Sequence, residues 1–457
     1  MMQDTALAII LAAGKGTRMK SERPKVLHRL AGAPLLAHVV SAAKSAGLAR
    51  LAVVVGPEMD EVRASAMAFD AKPGIFVQQA QRGTADAVKA ARQSLDEFDG
   101  QVLVLYGDTP LLRPETIAKV RAELASGADL VVIGFVPDNP SGYGRLLLDE
   151  RKRLVGIREE KDASPEERAI GLCNSGIMGF RSGKTLLGLL GRIGNDNAKG
   201  EFYLTDAVAL ARGDRLETRM VMSEAEEVLG VNSRSELAEA EALMQKRLRA
   251  RAMANGATLV APETVFFSFD TEIGRDVVIE PHVVIGPRVT IADGVTIRSF
   301  CHIEAATIGP GASVGPFARL RPGANLAKDA HVGNFVEIKQ SEIGEGAKVN
   351  HLAYIGDTNV GARANVGAGT ITCNYDGFDK HRTEIGAGAF IGSNSSLVAP
   401  VKIGEGAYVG SGSVISKDVA PDALALTRTS QEERPGWAAE RRKQRVRKAK
   451  TQGNKET

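Results

Sequence analysis

Ile273-Gly274-Arg275-Asp276-Val277-Val278-Ile279-Glu280-Pro281-His282-Val283-Val284-Ile285-Gly286 opens a series in which a bulky aliphatic residue stands at every sixth position. The count runs on through Ile291, Ile297 and Ile303. After a one-residue slip it resumes at Ile308, Val314, Leu320, Leu326, Val332 and Ile338, and it restarts at Ile343, Val349 and Ile355 and again at Val360 and Val366. Following an interruption it returns as Ile385, Ile391, Leu397, Ile403, Val409 and Ile415. Such a period is one short strand plus a tight turn, so each anchor points inward and stacks on its equivalents, and three hexads close a triangular coil. Glycine directly after many anchors, as at Gly286, Gly309, Gly344 and Gly404, suits turns that a side chain would strain, and Ala312, Ala347, Ala389 and Ala407 fill the corners. Six isoleucines at an interval of six are not a chance register, and the stretch predicts a parallel β-helix.

Composition fits a chain with more than one core. At 457 residues it exceeds a single typical domain, and 5% aromatics with 49 glycines suit thin coils. A net charge of +3 is too small for this size to imply nucleic acid by itself. Cys173, Cys301 and Cys373 are odd in number, far apart and in no metal-ligand spacing, which points to free thiols in a reducing compartment. No secretory leader pattern opens the chain and no run of eighteen apolar residues occurs, so the expectation is a soluble, cytoplasmic protein without a membrane partner.

The N-terminal region alternates. Ala6 to Leu11 is a buried-strand pattern that delivers the chain into Ala12-Ala13-Gly14-Lys15-Gly16-Thr17-Arg18-Met19, where a glycine-rich loop leaving a strand can bring backbone N–H groups close to an anion. A dinucleotide fingerprint would need glycine at Met19 and so fails, and Gly179 to Thr185 is one residue short of a P-loop. Helix patterns at Leu35 to Ala46, Glu58 to Phe69 and Thr84 to Leu95 alternate with strand patterns at 51–55, 75–77 and 102–105. This predicts a doubly wound α/β sheet with ligands at the carboxyl ends of the strands. Two motifs fall at such ends, Gln78 to Thr84 and Tyr106-Gly107-Asp108, and an aspartate beside a phosphate site is a natural Mg²⁺ ligand. Ser233 with Glu236 reads as a capping box opening a helix to about Ala254, with Leu237, Leu243, Met244 and Leu248 on one face.

Leu11 to Met19, Pro24-Lys25, Gly83-Thr84 and Tyr106-Gly107-Asp108 together look like the signature of sugar-1-phosphate nucleotidyltransferases. With the hexapeptide solenoid behind them, the chain resembles a bifunctional family that joins an N-acetylglucosamine-1-phosphate uridyltransferase to a glucosamine-1-phosphate N-acetyltransferase. The resemblance implies an α/β nucleotidyltransferase domain (1–232, Rossmann-like and doubly wound), a linker helix (233–254), a left-handed parallel β-helix (255–430) and a basic, disordered tail (431–457). It also implies acetyl transfer from acetyl-CoA, then uridyl transfer from UTP, giving UDP-N-acetylglucosamine for peptidoglycan and lipopolysaccharide. Uridine recognition would fall on Leu11, Ala12, Ala13, Gly14, Gln78, Gly83 and Thr84, with Tyr106 and Gly107 in the same site. The sugar phosphate would lie near Gly144, Glu159, Asn174 and Asn232, with Glu160 as an alternative to Glu159. Asp108 and Asn232 would hold Mg²⁺, and Arg18 and Lys25 would be the catalytic cations.

In the second half the same resemblance makes His351 the base, since imidazole titrates in the required range. Arg321, Lys339 and Lys380 would hold the sugar phosphate, Tyr354 and Asn365 the sugar, and Asn374 and Tyr375 the amine and thioester. Acetyl-CoA would lie by Ser393, Ser411 and Arg428. The stretch from Gly367 to His381 interrupts the period, and the insertion between Thr372 and Glu384 reads as one that reaches a neighbour in a homotrimer. Other readings stay open. One is a nucleotidyltransferase whose β-helix is only structural or regulatory. A second is a zinc hydratase, against which His282, His302 and His331 form no closely spaced pair. A third is a nucleic-acid binder resting on the seven basic residues of Arg441 to Lys450, although aromatic residues are lacking after Trp437.

Overall fold

The computed structural model describes residues 6–69, 72–96 and 98–453. Contacts divide the chain into two units, one reaching Thr290 with His302–Glu304 added, the other Ile291–Cys301 with Ala305 onward.

The first unit is built on a mixed sheet in the order Thr218–Met222, Leu130–Phe135, Cys173–Phe180, Gln101–Tyr106, Ala6–Leu11, Arg50–Val55 and Gly74–Val77. Ala6–Leu11 runs parallel to both neighbours, and only Cys173–Phe180 reverses direction among these seven. Alternate residues of one strand enter two cores. Ala6, Ala8 and Ile10 pack with Leu36, Val39 and Val40 of helix Leu35–Ser45, while Leu7 and Ile9 pack with Ala85 and Val88 of helix Thr84–Ala90. Helices on both faces explain the unbroken apolar runs, because neither face of these strands meets water. Each fully buried Leu or Ile contributes about 1.5–3 kcal/mol. Since Ala6–Leu11, Arg50–Val55, Gly74–Val77 and Gln101–Tyr106 are parallel, Leu11, Val55, Val77 and Tyr106 all end on one edge.

A hairpin not expected from the sequence, Arg145–Leu148 against Leu154–Arg158, joins this sheet through Arg145 and Cys173. Helix Arg234–Ala254 begins with the expected reciprocal cap between Ser233 and Glu236. Its buried stripe is Ala240, Met244, Gln245, Leu248 and Ala252, so Leu237 and Leu243 are only half-buried. Gln245 was hidden from an apolar count because its amide is satisfied on both sides by the backbone of Phe267, at 2.7 and 2.9 Å.

In the second unit short parallel strands stack one coil apart in three columns. Ser313–Val314, His331–Asn334, Lys348–His351 and Asn365–Val366 form one; Ala324–Leu326, Ser341–Ile343, Thr358–Val360 and Thr383–Ile385 the second; Arg319–Leu320, Glu337–Lys339, Tyr354–Gly356 and Ile371–Cys373 the third. Every periodic anchor from Ile279 to Ile415 is buried, and Ile273 is half-buried. The slips at Ile338 to Ile343 and Ile355 to Val360 fall at one corner, turned by Gln340 and Asp357 at φ 47° and 50°. The interruption after Val366 is shorter than the sequence suggests. Thr372 occupies an anchor position opposite Leu397 and is fully buried, its hydroxyl accepting from Gly356 N at 2.8 Å, so the coil continues through Cys373. The tail expected to be disordered carries a helix, Trp437–Gly453, because its Ala, Glu, Gln, Lys and Arg are strong helix formers; residues 454–457 lie outside the described residues.

Candidate functional sites

The sheet edge that gathers Leu11, Val77 and Tyr106 opens on a cavity of about 490 Å³ lined by Leu11, Ala12, Ala13, Gly14, Lys25, Gln78, Gly83, Thr84, Tyr106 and Asp108. Gln78 is buried and donates to Gly83 O and Asp86 Oδ2, both at 3.0 Å, which fixes the loop between strand and helix. Gly83 has φ 114°, and a Cβ there would come within 2.6 Å of Phe202 O, so only glycine lets the loop close. Thr84 Oγ1 accepts from Leu204 N at 2.9 Å, and Gln81, not singled out by the sequence, donates to Ala13 O at 2.6 Å. Gly107 N donates to Leu11 O at 2.9 Å and so ties the two strand ends together.

A second cavity of about 290 Å³ shares Tyr106 and Asp108 with the first and adds Arg18, Gly142, Ser175 and Asn232. The unexpected hairpin brings Glu159 near Tyr106, which lines both cavities. Arg145 pairs with Arg158, which sets Gly144 opposite Glu159, and Asn174 N donates to Gly144 O at 2.8 Å. Glu159 is held by the Thr205 hydroxyl at 3.2 Å, and burial pushes its carboxyl above the usual range. Glu160 is engaged elsewhere, accepting from Gly142 N at 2.5 Å with Arg145 at 3.7 Å. The Tyr106 ring lies against Gly176, where a Cβ would come within 2.9 Å, and its phenol is pushed up by burial and by the Glu159 and Asp108 carboxylates.

Lys25 Nζ donates to Asp108 Oδ2 and to Asn232 Oδ1, the second at 2.8 Å. Two oxygen donors from distant segments thus converge on one cation. A carboxylate and an amide oxygen beside a phosphate-sized cleft suit a hard divalent ion that takes its remaining ligands from substrate and water. Among the described residues no three His, Cys, Asp or Glu side chains group as metal ligands.

The second unit presents three groups of side chains. Arg321 and Lys339 follow equivalent rungs of one column, and each has a carboxylate partner, Glu337 at 2.8 Å and Asp357 at 3.1 Å. Asp357 also accepts from Asn374 Nδ2, and Lys380 lies beside Lys339. In the second group, His351 and Asn334 face each other on adjacent rungs, with Nδ1 bonded to Asn334 Oδ1. With Nδ1 as the donor to that oxygen, Nε2 is the ring nitrogen left to accept a proton. Tyr354 begins the next strand of the same coil, whereas Asn365 stands on the column of His351 between Lys348 and Phe390. In the third group Arg428 Nη1 donates to Ser411 O at 2.9 Å, and Gly412 N to Ser393 O at 2.8 Å. Sequence reasoning missed Asn334, Glu337, Asp357 and Thr205; the first three are recoverable by stepping one coil along from His351, Arg321 and Lys339.

These features define a two-part transferase, with a nucleotide-type cleft on an α/β sheet and a hexapeptide β-helix following it. The model of the MobA-like NTP transferase domain matches residues 8–168, and that of the bacterial transferase hexapeptide repeat matches residues 270–305 and 382–417. The chain is similar to the bifunctional protein GlmU of Azorhizobium caulinodans, at 58% identity over 96% of this chain and 98% of the relative. To those of Rhodospirillum rubrum and Parvibaculum lavamentivorans it is 60% identical over 94% of this chain, covering 96% and 95% of the relatives. The chain belongs to the bifunctional GlmU family, and it is an enzyme that combines a uridyltransferase with an acetyltransferase. No described helix is long and apolar enough to cross a membrane.

Proposed function

We propose that the chain makes UDP-N-acetylglucosamine in two steps at two sites, with acetyl transfer to glucosamine-1-phosphate in the β-helix (255–430) preceding uridyl transfer in the α/β region (1–232). In the first step His351 Nε2 takes a proton from the attacking amine, the new amide bond forms at the thioester carbonyl, and the CoA sulfur leaves. The single observation that carries this half is the Nδ1–Asn334 contact, which with Nδ1 as donor leaves Nε2 as the acceptor. Arg321, Lys339 and Lys380 bind the phosphate, Tyr354 and Asn365 the sugar, and Asn374 and Tyr375 orient the reacting groups. Acetyl-CoA lies along Ser393, Ser411 and Arg428.

In the second step a phosphate oxygen of N-acetylglucosamine-1-phosphate attacks the α-phosphorus of UTP and pyrophosphate leaves. Leu11 to Gly14, Gln78, Gly83 and Thr84 receive the uridine nucleotide. Gly144, Glu159 and Asn174 receive the sugar, and the bonds of Glu160 to Gly142 and Arg145 favour Glu159 for that role. Arg18 and Lys25 stabilise charge developing on the phosphates. Asp108 and Asn232 would hold Mg²⁺, which when bound screens the phosphate charge.

The homotrimer belongs to this reading. Phe300, Phe317 and Phe335 stack in an exposed ladder with centroids 4.8 and 5.0 Å apart, exposed Leu352 continues their corner, and Phe378 at the insertion tip is 91% exposed. Three free cysteines support a cytoplasmic location. The test is to incubate the purified protein with glucosamine-1-phosphate, acetyl-CoA, UTP and Mg²⁺ and to look for UDP-N-acetylglucosamine by mass. Uridyl transfer to supplied N-acetylglucosamine-1-phosphate with no acetylation would instead favour a nucleotidyltransferase with a structural β-helix.

A further inference from the structure

The insertion at 374–381 is a small hairpin. Tyr375 bridges to Lys380, His381 N donates to Asn374 O at 2.9 Å, and the turn passes through Gly377 at φ 103°. Within one chain Tyr375 and Phe378 are exposed, and the Tyr375 hydroxyl donates to Gly377 O at 2.7 Å. The Asp376 carboxylate adds three further bonds. Asp376 Oδ1 accepts from Phe378 N at 2.8 Å and Asp379 N at 2.7 Å, and Oδ2 accepts from His381 Nε2 at 2.7 Å. The Asp379 N–H, then His381 and the Phe378 N–H, hold the Asp376 carboxyl well below the usual carboxylate range.

Lys380 is flanked by these fixed points. The bridge to Tyr375 pins its backbone, and the next residue is tied by both its N–H and its ring. The Lys380 side chain lies beside Lys339, whose ammonium already has Asp357. A long side chain on an exposed loop is free to turn to solvent. Something must hold the second cation in place before an anion arrives.

We propose that Asp376 and His381 form a clip that fixes the hairpin so that Lys380 waits beside Lys339 for the sugar phosphate. The inference rests on the phosphate-binding role given to Lys339 and Lys380 above, and it makes Asp376 and His381 positioning residues for acetyl transfer.

The test is steady-state kinetics of the full-length protein for His381→Ala, His381→Gln, Lys380→Ala and the double variant Lys380→Ala/His381→Ala, with uridyl transfer by the same preparations as the control for folding. His381→Ala should raise KM for glucosamine-1-phosphate about tenfold while kcat and KM for acetyl-CoA stay within about twofold. His381→Gln, whose amide N–H can still reach Asp376, should recover most of the loss. In the double variant the two effects should not add, because each removes the same held ammonium. An unchanged KM in His381→Ala beside a raised KM in Lys380→Ala overturns the clip alone. No effect of Lys380→Ala overturns the phosphate assignment beneath it, and with it the clip. Full additivity, or a loss in His381→Ala that His381→Gln does not repair, also contradicts the clip.

Discussion

Glu159 carries a prediction that depends only on its surroundings. Burial raises its pKa above the ordinary 4.5, with Thr205 and Lys199 opposing, so the folded state binds its proton more tightly than the unfolded chain does. Stability from this group is therefore present below the unfolded value and lost as pH rises through the folded one. The Tm of Glu159→Gln minus that of wild type should grow as pH increases from about 4.5 upward. Parallel curves over that range would show that the carboxyl is not desolvated in the folded protein.

At the scale of elements, the repeat gives the sharpest expectation. Ile338 is fully buried between Leu320 and Ile355 on neighbouring rungs, and Ile338→Ala should cost about 2–5 kcal/mol by urea unfolding of the second unit. Ser233→Ala, which removes a reciprocal cap, should cost only about 1 kcal/mol. The difference reflects what each residue touches, and it also explains what could be read in advance. A period of six and unbroken apolar runs announce themselves because burial on a repeating backbone demands them, and the glycine-rich loop and Tyr106-Gly107-Asp108 sit where strand ends must fall. The antiparallel strand Cys173–Phe180 and the hairpin Arg145–Leu148/Leu154–Arg158 gave no such signal. The hairpin strands are only four and five residues long, the eight of Cys173–Phe180 are interrupted by Asn174, Ser175, Gly176 and Gly179, and what places Gly144 against Glu159 is a pairing register rather than a local preference. Thr372 escaped for the opposite reason: a hydroxyl at an anchor position looks like a broken repeat until its backbone partner at Gly356 is seen. Asp357, which gathers Lys339 and Asn374, stands one coil from each, eighteen and seventeen residues away, so the coil step is what joins them.

For the whole molecule, the exposed apolar ladder of Phe300, Phe317, Phe335 and Leu352 runs beside His351, the base proposed for acetyl transfer. A closed cyclic trimer would cover that ladder and let one chain complete another's site. Light scattering should give three times the chain mass, and mixing His351→Ala chains with Asn374→Ala chains should restore part of the acetyl transfer that each lacks. A monomeric mass with full activity would exclude a shared site, and a trimer without recovery would confine these residues to one chain.

On the proposed function one chain carries two independent catalytic sites, and assaying both reactions in two single variants separates them. Asp108→Ala should abolish uridyl transfer while release of CoA from acetyl-CoA in the presence of glucosamine-1-phosphate continues at the wild-type rate. His351→Ala should do the reverse, losing about a hundredfold or more in acetyl transfer with uridyl transfer intact. If either folded variant lost both activities together, the two-site account would be contradicted.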